Sequence, residues 1–291
     1  MDRDRLPESE DVHLAGLGGF HLDVPGHGQM YVQYARLRRP RARFPLICWH
    51  GGGLTGASFE NKPGGGPGWQ WYFLSTGHDV YLCDGPGAGR ARSRQDPAEQ
   101  PARDDKTLWE LFRIGPPGSY PARSPYADSR FPVAAFDEFA SQVVRGTGVG
   151  DASRQAVHDA SLAHLGPCVL LTHSAAGPIG LRAEIAVPDH VRGHVLIEPS
   201  GAPDPAEVDL TPLKQIPHLF IWGDHLNLGW HTLYDSSRRF HEALLRAGGR
   251  SEWIDLPEHG RRGNTHLIMM DDDSDEVAAL ISRWMSRNEL I

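Results

Sequence analysis

Cys168-Val169-Leu170-Leu171-Thr172-His173-Ser174-Ala175-Ala176-Gly177-Pro178-Ile179-Gly180 joins a short apolar run to a helical pattern through one serine. Cys168 to Leu171 is long enough for a buried strand. From Ala175 the apolar positions Leu181, Ile185 and Ala186 follow a helical spacing. A strand that turns sharply into a helix needs small residues at the joint, and Ala175, Ala176 and Gly177 supply them. That geometry lifts the serine oxygen clear of a sheet and sets it at a helix N-terminus, where unpaired N–H groups stabilise negative charge. Such a joint is usually written Gly-x-Ser-x-Gly and marks a nucleophile. Here both glycines are replaced, by Thr172 and Ala176. A serine that merely caps a buried helix is the competing reading, so the rest of the chain must decide.

Working outward, two strand-like segments at about 11–24 and 29–37 suit an antiparallel pair, because Met30 to Tyr34 alternates. Phe44 to Trp49 and Val80 to Cys83 are further buried strands, with a helix over 68–76 between them. Helical patterns recur at 134–145 and 151–164. Strands are expected at 192–197, 218–222 and 251–256, and helices near 234–247 and 275–287. Buried strands that alternate with helices after an initial hairpin predict a mostly parallel central sheet with helices on both faces. Residues 94–135 break the rhythm. They are rich in Pro and Arg with interspersed aromatics, as in a lid or functional insertion. No internal repeat or second domain is visible, so 1–291 reads as one α/β domain.

His50-Gly51-Gly52-Gly53 follows a strand end, where ligand sites gather in open α/β sheets. Three glycines let the backbone pass close to a substrate with N–H groups pointing inward. In acyl-transfer chemistry such a loop supplies one oxyanion donor and the residue after the nucleophile supplies the other. Those roles fall to Gly52 and Ala175, with Gly53 and Leu54 beside the substrate. A structural turn remains the alternative. Gly51 to Gly56 also satisfies the dinucleotide fingerprint G-x-G-x-x-G. That reading is disfavoured, because no helix opens at once and two strands precede the motif.

A base for Ser174 should lie between the last strand and the last helix. His259 and His266 both qualify, and His266, further into the loop, is preferred. The usual place for the orienting acid, after the next-to-last strand, holds Leu226, which cannot accept an imidazole N–H. Asp224 is near but offset by two residues. Glu198 follows the preceding strand and is the first candidate, with Asp224 the second. There is no H-E-x-x-H and no Cys/His cluster, so no metal is expected. The acidic run Asp271 to Glu276 suits a cap for the last helix, and it lacks the spacing of a calcium loop.

Taken together, His50-Gly51-Gly52-Gly53-Leu54-Thr55-Gly56, Thr172-His173-Ser174, Glu198-Pro199-Ser200-Gly201 and Gly263-Asn264-Thr265-His266 resemble a bacterial α/β-hydrolase esterase family. Its type member, an Alcaligenes esterase, carries its triad acid after strand six. The resemblance runs from about residue 45 to 285 and is weakest in the lid. It implies an α/β-hydrolase fold, a triad of Ser174, His266 and Glu198, and oxyanion donors at Gly52 and Ala175. Two departures are plain. The type member has adjacent cysteines where this chain has Gly52-Gly53, and a glutamine where this chain has Ala175. Both changes keep the backbone N–H and alter the pocket.

Composition narrows the remaining classes. The chain has 291 residues, 40% hydrophobic, with 33 Gly and 23 Pro. Its net charge of −8, with scattered basic residues, gives no reason to expect nucleic acid or an anionic membrane as partner. Cys48, Cys83 and Cys168 lie in apolar runs and read as buried free thiols. The first residues carry no apolar segment, and no run approaches a membrane span, so a cytoplasmic location is the expectation. The expected activity is hydrolysis of a small-molecule carboxylic ester through an acyl-enzyme, without cofactor. Trp109 and Phe112 of the insertion are expected to line the substrate pocket. A lactonase, thioesterase or acyltransferase would use the same groups. A nicotinamide oxidoreductase and a non-catalytic binding protein are the rivals from other classes, and a homodimer is left open.

Overall fold

The computed structural model describes residues 11–94, 96–101, 103–227 and 229–291. The expectation that residues 1–10 are loose lies outside them. The antiparallel hairpin β1 (Leu14–Val24) and β2 (Gly28–Leu37) opens the chain. β2 then pairs antiparallel with β4 (Val80–Asp84). From β4 onward every pairing is parallel, through β3 (Leu46–Trp49), β5 (Cys168–His173), β6 (Val191–Ile197), β7 (Pro217–Trp222) and β8 (Arg250–Asp255). The eight strands form one sheet in the order β1-β2-β4-β3-β5-β6-β7-β8.

The central strands are buried along their whole length, which is why they read as unbroken apolar runs rather than alternating ones. Their alternation sorts side chains between two cores. Leu46, Cys48, Val169 and Leu171 pack on one face with α1 (Trp69–Ser75) and α7 (Ser274–Arg287). Ile47, Trp49, Leu170 and Leu196 pack on the other, with α4 (Asp151–Leu165), α5 (Ala176–Ala186) and α6 (Trp230–Arg246). In α7 the buried positions Val277, Ala278, Ile281, Trp284 and Met285 form one stripe at helical spacing. Each such fully buried aliphatic side chain contributes about 1.5–3 kcal/mol relative to an exposed one. Cys48, Cys83 and Cys168 are buried free thiols.

The insertion differs from expectation. It holds a helix of its own, α2 (Asp105–Leu111), followed by α3 (Phe136–Gln142), which is shorter than the predicted 134–145. Asp104 caps α2 by accepting the Thr107 N–H at 2.7 Å, a start signal hidden among the prolines and arginines. Trp109, Phe112, Phe131, Phe136 and Phe139 bury together against the α1/α7 face. The segment is also fastened to the body: Trp230 Nε1 donates to Leu111 O at 3.0 Å, and Arg130 N to Gly263 O at 2.8 Å. The last helical face before β8 also begins earlier than predicted, at Trp230, just after Gly229 in the left-handed region.

Candidate active site

Two strand ends place non-glycine residues in the left-handed region. Ser174, after β5, has φ 53°, and Glu198, after β6, has φ 44°. Side chains rarely adopt this conformation, which costs on the order of 1–3 kcal/mol and concentrates at functional sites. Hydrogen bonds hold both joints. Ser174 N donates to Ile197 O at 3.0 Å, Ser200 N to Ser174 O at 2.9 Å, and Glu198 N to Ile221 O at 2.9 Å. Small neighbours make the turn possible, since a Cβ on Gly177 would lie 2.5 Å from Pro199 Cβ.

His266 enters from the loop between β8 and α7. Its Nδ1 and Glu198 Oε2 are 2.7 Å apart. The imidazole therefore donates Nδ1–H to the carboxylate, which leaves Nε2 as the basic nitrogen. Its backbone is fixed from two sides: His266 N donates to Phe112 O at 3.0 Å, and His173 Nε2–H donates to His266 O at 2.8 Å. The ring lies between Phe112, with centroids 5.7 Å apart and stacked, and Trp230, at 4.0 Å. Asp271 accepts from Thr265 N at 2.8 Å and Thr265 Oγ1 at 2.7 Å. The acidic run thus ties down the loop, and Asp273 at the N-cap of α7 makes no side-chain cap. Among the described residues no hydrogen bond joins Ser174 to His266. In unliganded sites such contacts are often open and close on substrate binding.

Glu198 is fully buried. Its Oε1 accepts from Gly223 N at 2.6 Å and from Arg113 Nη2. Burial pushes the Glu198 carboxyl up, yet the Arg113 charge and the His266 hydrogen bond outweigh it and hold the group down at about 2. Burial lowers the pKa of His266. Glu198 opposes that shift, while Arg113 and Arg103 add to it. The arrangement therefore pairs an ionised carboxylate with a neutral imidazole near neutral pH.

Gly52 and Ala175 face each other across the joint. A Cβ on Gly52 would lie 3.7 Å from Ala175 Cβ. Among the described residues neither Gly52 N nor Ala175 N donates to another protein group, so both can serve an incoming oxygen. The loop is anchored behind them: His50 Nδ1–H donates to Gly51 O at 2.8 Å, and His50 Nε2 accepts from Gly85 N at 2.9 Å. Gly53 has φ 79° and accepts from Val144 N at 2.9 Å.

Other candidates take different places. Trp109 is fully buried in the core of the insertion, packs on Phe136 and donates Nε1–H to Ser119 Oγ at 2.9 Å. It is a core residue and not the pocket wall expected, because its ring has more apolar surface to cover inside the insertion. Leu54 is likewise core, at 1% exposure. Phe112 touches the site through the His266 ring. His259 is exposed and bonds Asp255 O at 2.9 Å. Asp224 accepts from Gly263 N at 3.1 Å and makes no hydrogen bond or ion pair with His266 among the described residues. Arg113, His173 and Trp230 were missed. The available signal was Arg113 itself, a cation between Leu111-Phe112 and Ile114 in a largely apolar stretch, since a buried charge needs a partner.

Comparison with known proteins bears on the fold and the class of reaction. No family model matches the chain. A bacterial esterase of solved structure superposes with a TM-score of 0.87 at 29% identity, over 98% of this chain and 99% of its own. A fungal protein described as "Probable secreted lipase phiG" is 25% identical, over 89% of this chain and 86% of its own length. A thioesterase domain from curacin biosynthesis shares the fold at a TM-score of 0.50 and 13% identity, over 92% of this chain and 99% of its own. The fold is that of the α/β-hydrolases, and the esterase and lipase likenesses show a carboxylic ester hydrolase. One expectation is corrected. The fungal relative is described as a probable secreted lipase, which overturns the cytoplasmic location expected from the first residues. No helix among the described residues is long and apolar enough to cross a membrane.

Proposed function

We propose that the chain hydrolyses carboxylic esters through a triad of Ser174, His266 and Glu198. The observation that carries this reading is the 2.7 Å contact between His266 Nδ1 and Glu198 Oε2, at the sheet edge where Ser174 stands in the left-handed region. Ser174 Oγ attacks the ester carbonyl carbon while His266 Nε2 takes its proton. Glu198 fixes the tautomer and stabilises the imidazolium that forms. Gly52 and Ala175 N–H groups donate to the oxyanion as the carbonyl bond becomes a single bond. The imidazolium then gives its proton to the departing alkoxide, which leaves as the alcohol. Water, deprotonated by the same nitrogen, attacks the acyl-enzyme and releases the acid and the serine. These steps need no cofactor, and the substrate is a small-molecule ester.

A fluorophosphonate should label one serine, and peptide mapping should place the label on Ser174. Ser174→Ala should abolish labelling and lower turnover by at least about 10⁴-fold with the melting temperature retained. A label on another serine, or an alanine variant with near-full activity, would overturn the assignment.

A further inference from the structure

The glycine loop opens on a pocket of about 90 Å³, beside the oxyanion donors, whose polar side chains the catalytic steps above leave unused. One wall is the backbone of Gly52, Gly53 and Ala175, and the turn at Gly85–Ala88 forms another. Four polar side chains complete it: His50, Thr147, Arg154 and His158. Both ring nitrogens of His50 are occupied, and among the described residues each of the other three keeps a polar atom without a protein partner. Thr147 is 2% exposed and its Oγ1 has no partner. Gly87, at φ 73°, is needed to bring the turn this close, since a Cβ there would lie 1.9 Å from that oxygen. His158 is 6% exposed and donates Nδ1–H to Arg154 O at 2.6 Å, so its Nε2 presents a bare lone pair. Among the described residues nothing donates to that lone pair. Burial keeps the ring neutral, with its pKa pushed down to about 4.

Arg154 is the decisive group. It stands at the end of the opening turn of α4, partly buried, and its guanidinium meets no carboxylate or carbonyl among the described residues. The nearby carboxylate Asp84 is already occupied by Arg90 and the Gly56 N–H. A cation near a helix N-terminus opposes the helix dipole, so the helix itself gives no reason for it. A partly desolvated cation without a partner is unfavourable unless an anion completes it.

We propose that this pocket binds a carboxylate carried by the ester substrate, with Arg154 and the Thr147 hydroxyl as donors. This rests on the ester-hydrolase reading and extends it to a substrate class: short esters with a free acid group. The carboxylate belongs on the Arg154 side, because the lone pair of His158 Nε2 would repel it. That nitrogen instead accepts from a hydroxyl of the ligand or from water. A pocket of this size admits only a short acid-bearing arm. Adjacent oxyanion donors place the reacting carbonyl at the pocket mouth. In a chain of net charge −8 a cation in the cleft, with Arg103 at the neighbouring Gly52 carbonyl, also focuses the field that draws such a substrate in.

The test compares 4-nitrophenyl hydrogen succinate with the near-isosteric 4-nitrophenyl butyrate, each rate normalised to alkaline hydrolysis. Wild-type kcat/KM should favour the succinate by at least about tenfold, as expected of a charge-assisted hydrogen bond. Arg154→Met should bring the ratio near one, and Arg154→Lys should retain part of the preference. A second readout needs no turnover: calorimetric titration of free succinate into the same proteins, with succinamide as the neutral control. Succinate should bind wild type and be released by Arg154→Met. If the esters are turned over without an Arg154-dependent preference, the pocket proposal fails and the esterase reading stands. If neither ester is turned over, the esterase reading fails, and the succinate titration alone decides the pocket.

Discussion

Two buried glutamates in this molecule hold histidines, and only one of them stands beside a serine. Glu198 binds His266 Nδ1 at 2.7 Å. Glu184, in α5, accepts from His194 Nδ1 at 3.2 Å and from His218 Nε2 at 2.8 Å. All of these side chains are at most 1% exposed. Both carboxyls are held at about 2, against burial that pushes them up, because cationic or hydrogen-bonding partners outweigh it. The difference lies in where the second nitrogen stands: among the described residues His218 Nδ1 is buried inside the sheet without a partner. His194 and His218 are paired in register on β6 and β7, and His194 Nε2 is taken by Thr172 Oγ1 at 2.9 Å. His266 sits in a loop beyond the sheet, with Nε2 committed to no protein group among the described residues.

A carboxylate–imidazole pair is therefore first a way to bury polar groups, and only its surroundings make it a catalyst. Arg113 supplies a second distinction. Burial lowers and Glu184 raises the pKa of His218, and the balance is upward. Burial lowers that of His266, and Arg113, which already neutralises Glu198, lowers it further. The balance at His218 favours an imidazolium, whereas His266 is kept neutral.

The largest test of that contrast exchanges each glutamate for glutamine. Glu198→Gln keeps the size of the side chain and removes the acceptor that holds the tautomer. In a serine-protease triad the equivalent amide costs roughly 10⁴-fold, and here at least about 10²-fold in kcat should be lost. Glu184→Gln should reduce kcat less than about tenfold. It should instead destabilise, by about 1–3 kcal/mol for hydrogen bonds to a charged group, seen as a fall in melting temperature. The pH dependence carries the sign. A histidine whose folded pKa is raised, as for His218, stabilises fully below about pH 6.5 and ceases to do so as pH rises through the folded value. That slope should vanish in Glu184→Gln. Equal losses of activity in the two variants would erase the distinction.

The next effect is smaller and concerns Arg113. His266 must be neutral to act as base, and its pKa lies below the ordinary value of about 6.5. The acid limb of kcat/KM should therefore have its midpoint below about pH 6.5. Arg113→Met removes the repulsion that keeps the imidazolium unfavourable, so the midpoint should move to higher pH, with kcat reduced by about tenfold. Arg113→Lys should restore part of the shift. A merely structural role would lower activity at every pH and leave the midpoint in place.

Sequence alone made the sheet legible wherever burial on both faces forces an unbroken apolar run, as in Cys168 to Leu171 and Leu219 to Trp222. It failed where composition hides periodicity: α2 begins in a Pro- and Arg-rich segment, and α6 starts at Trp230 without a polar cap. Within the site, Ser174, Glu198 and His266 were approachable because each follows a strand end or the last strand. Arg113 was not. It lies 85 residues from Glu198, and its role exists only once the insertion folds back. Trp109 misled for the same reason, since an aromatic in an insertion serves its own core as readily as a substrate.

The smallest expected effect separates Asp224 from Glu198. Asp224 Oδ2 accepts from Gly263 N at 3.1 Å and Oδ1 from His225 N at 2.7 Å. Its backbone does the remaining fastening: N–H donates to Asn264 O at 2.8 Å, and O accepts from Arg113 Nε at 2.8 Å. Asp224→Asn keeps both backbone contacts and one acceptor oxygen, so the loop that carries His266 should stay in place. Activity should fall by less than about tenfold, and the acid limb should not move, because no charge that faces the imidazole directly has changed. The measurement is a pH profile of kcat/KM on a neutral ester, with the melting temperature checked first. A severe loss here beside a mild one in Glu198→Gln would make Asp224 the orienting acid. Glu198 would then join Glu184 as a buried carboxylate whose histidine contact is structural.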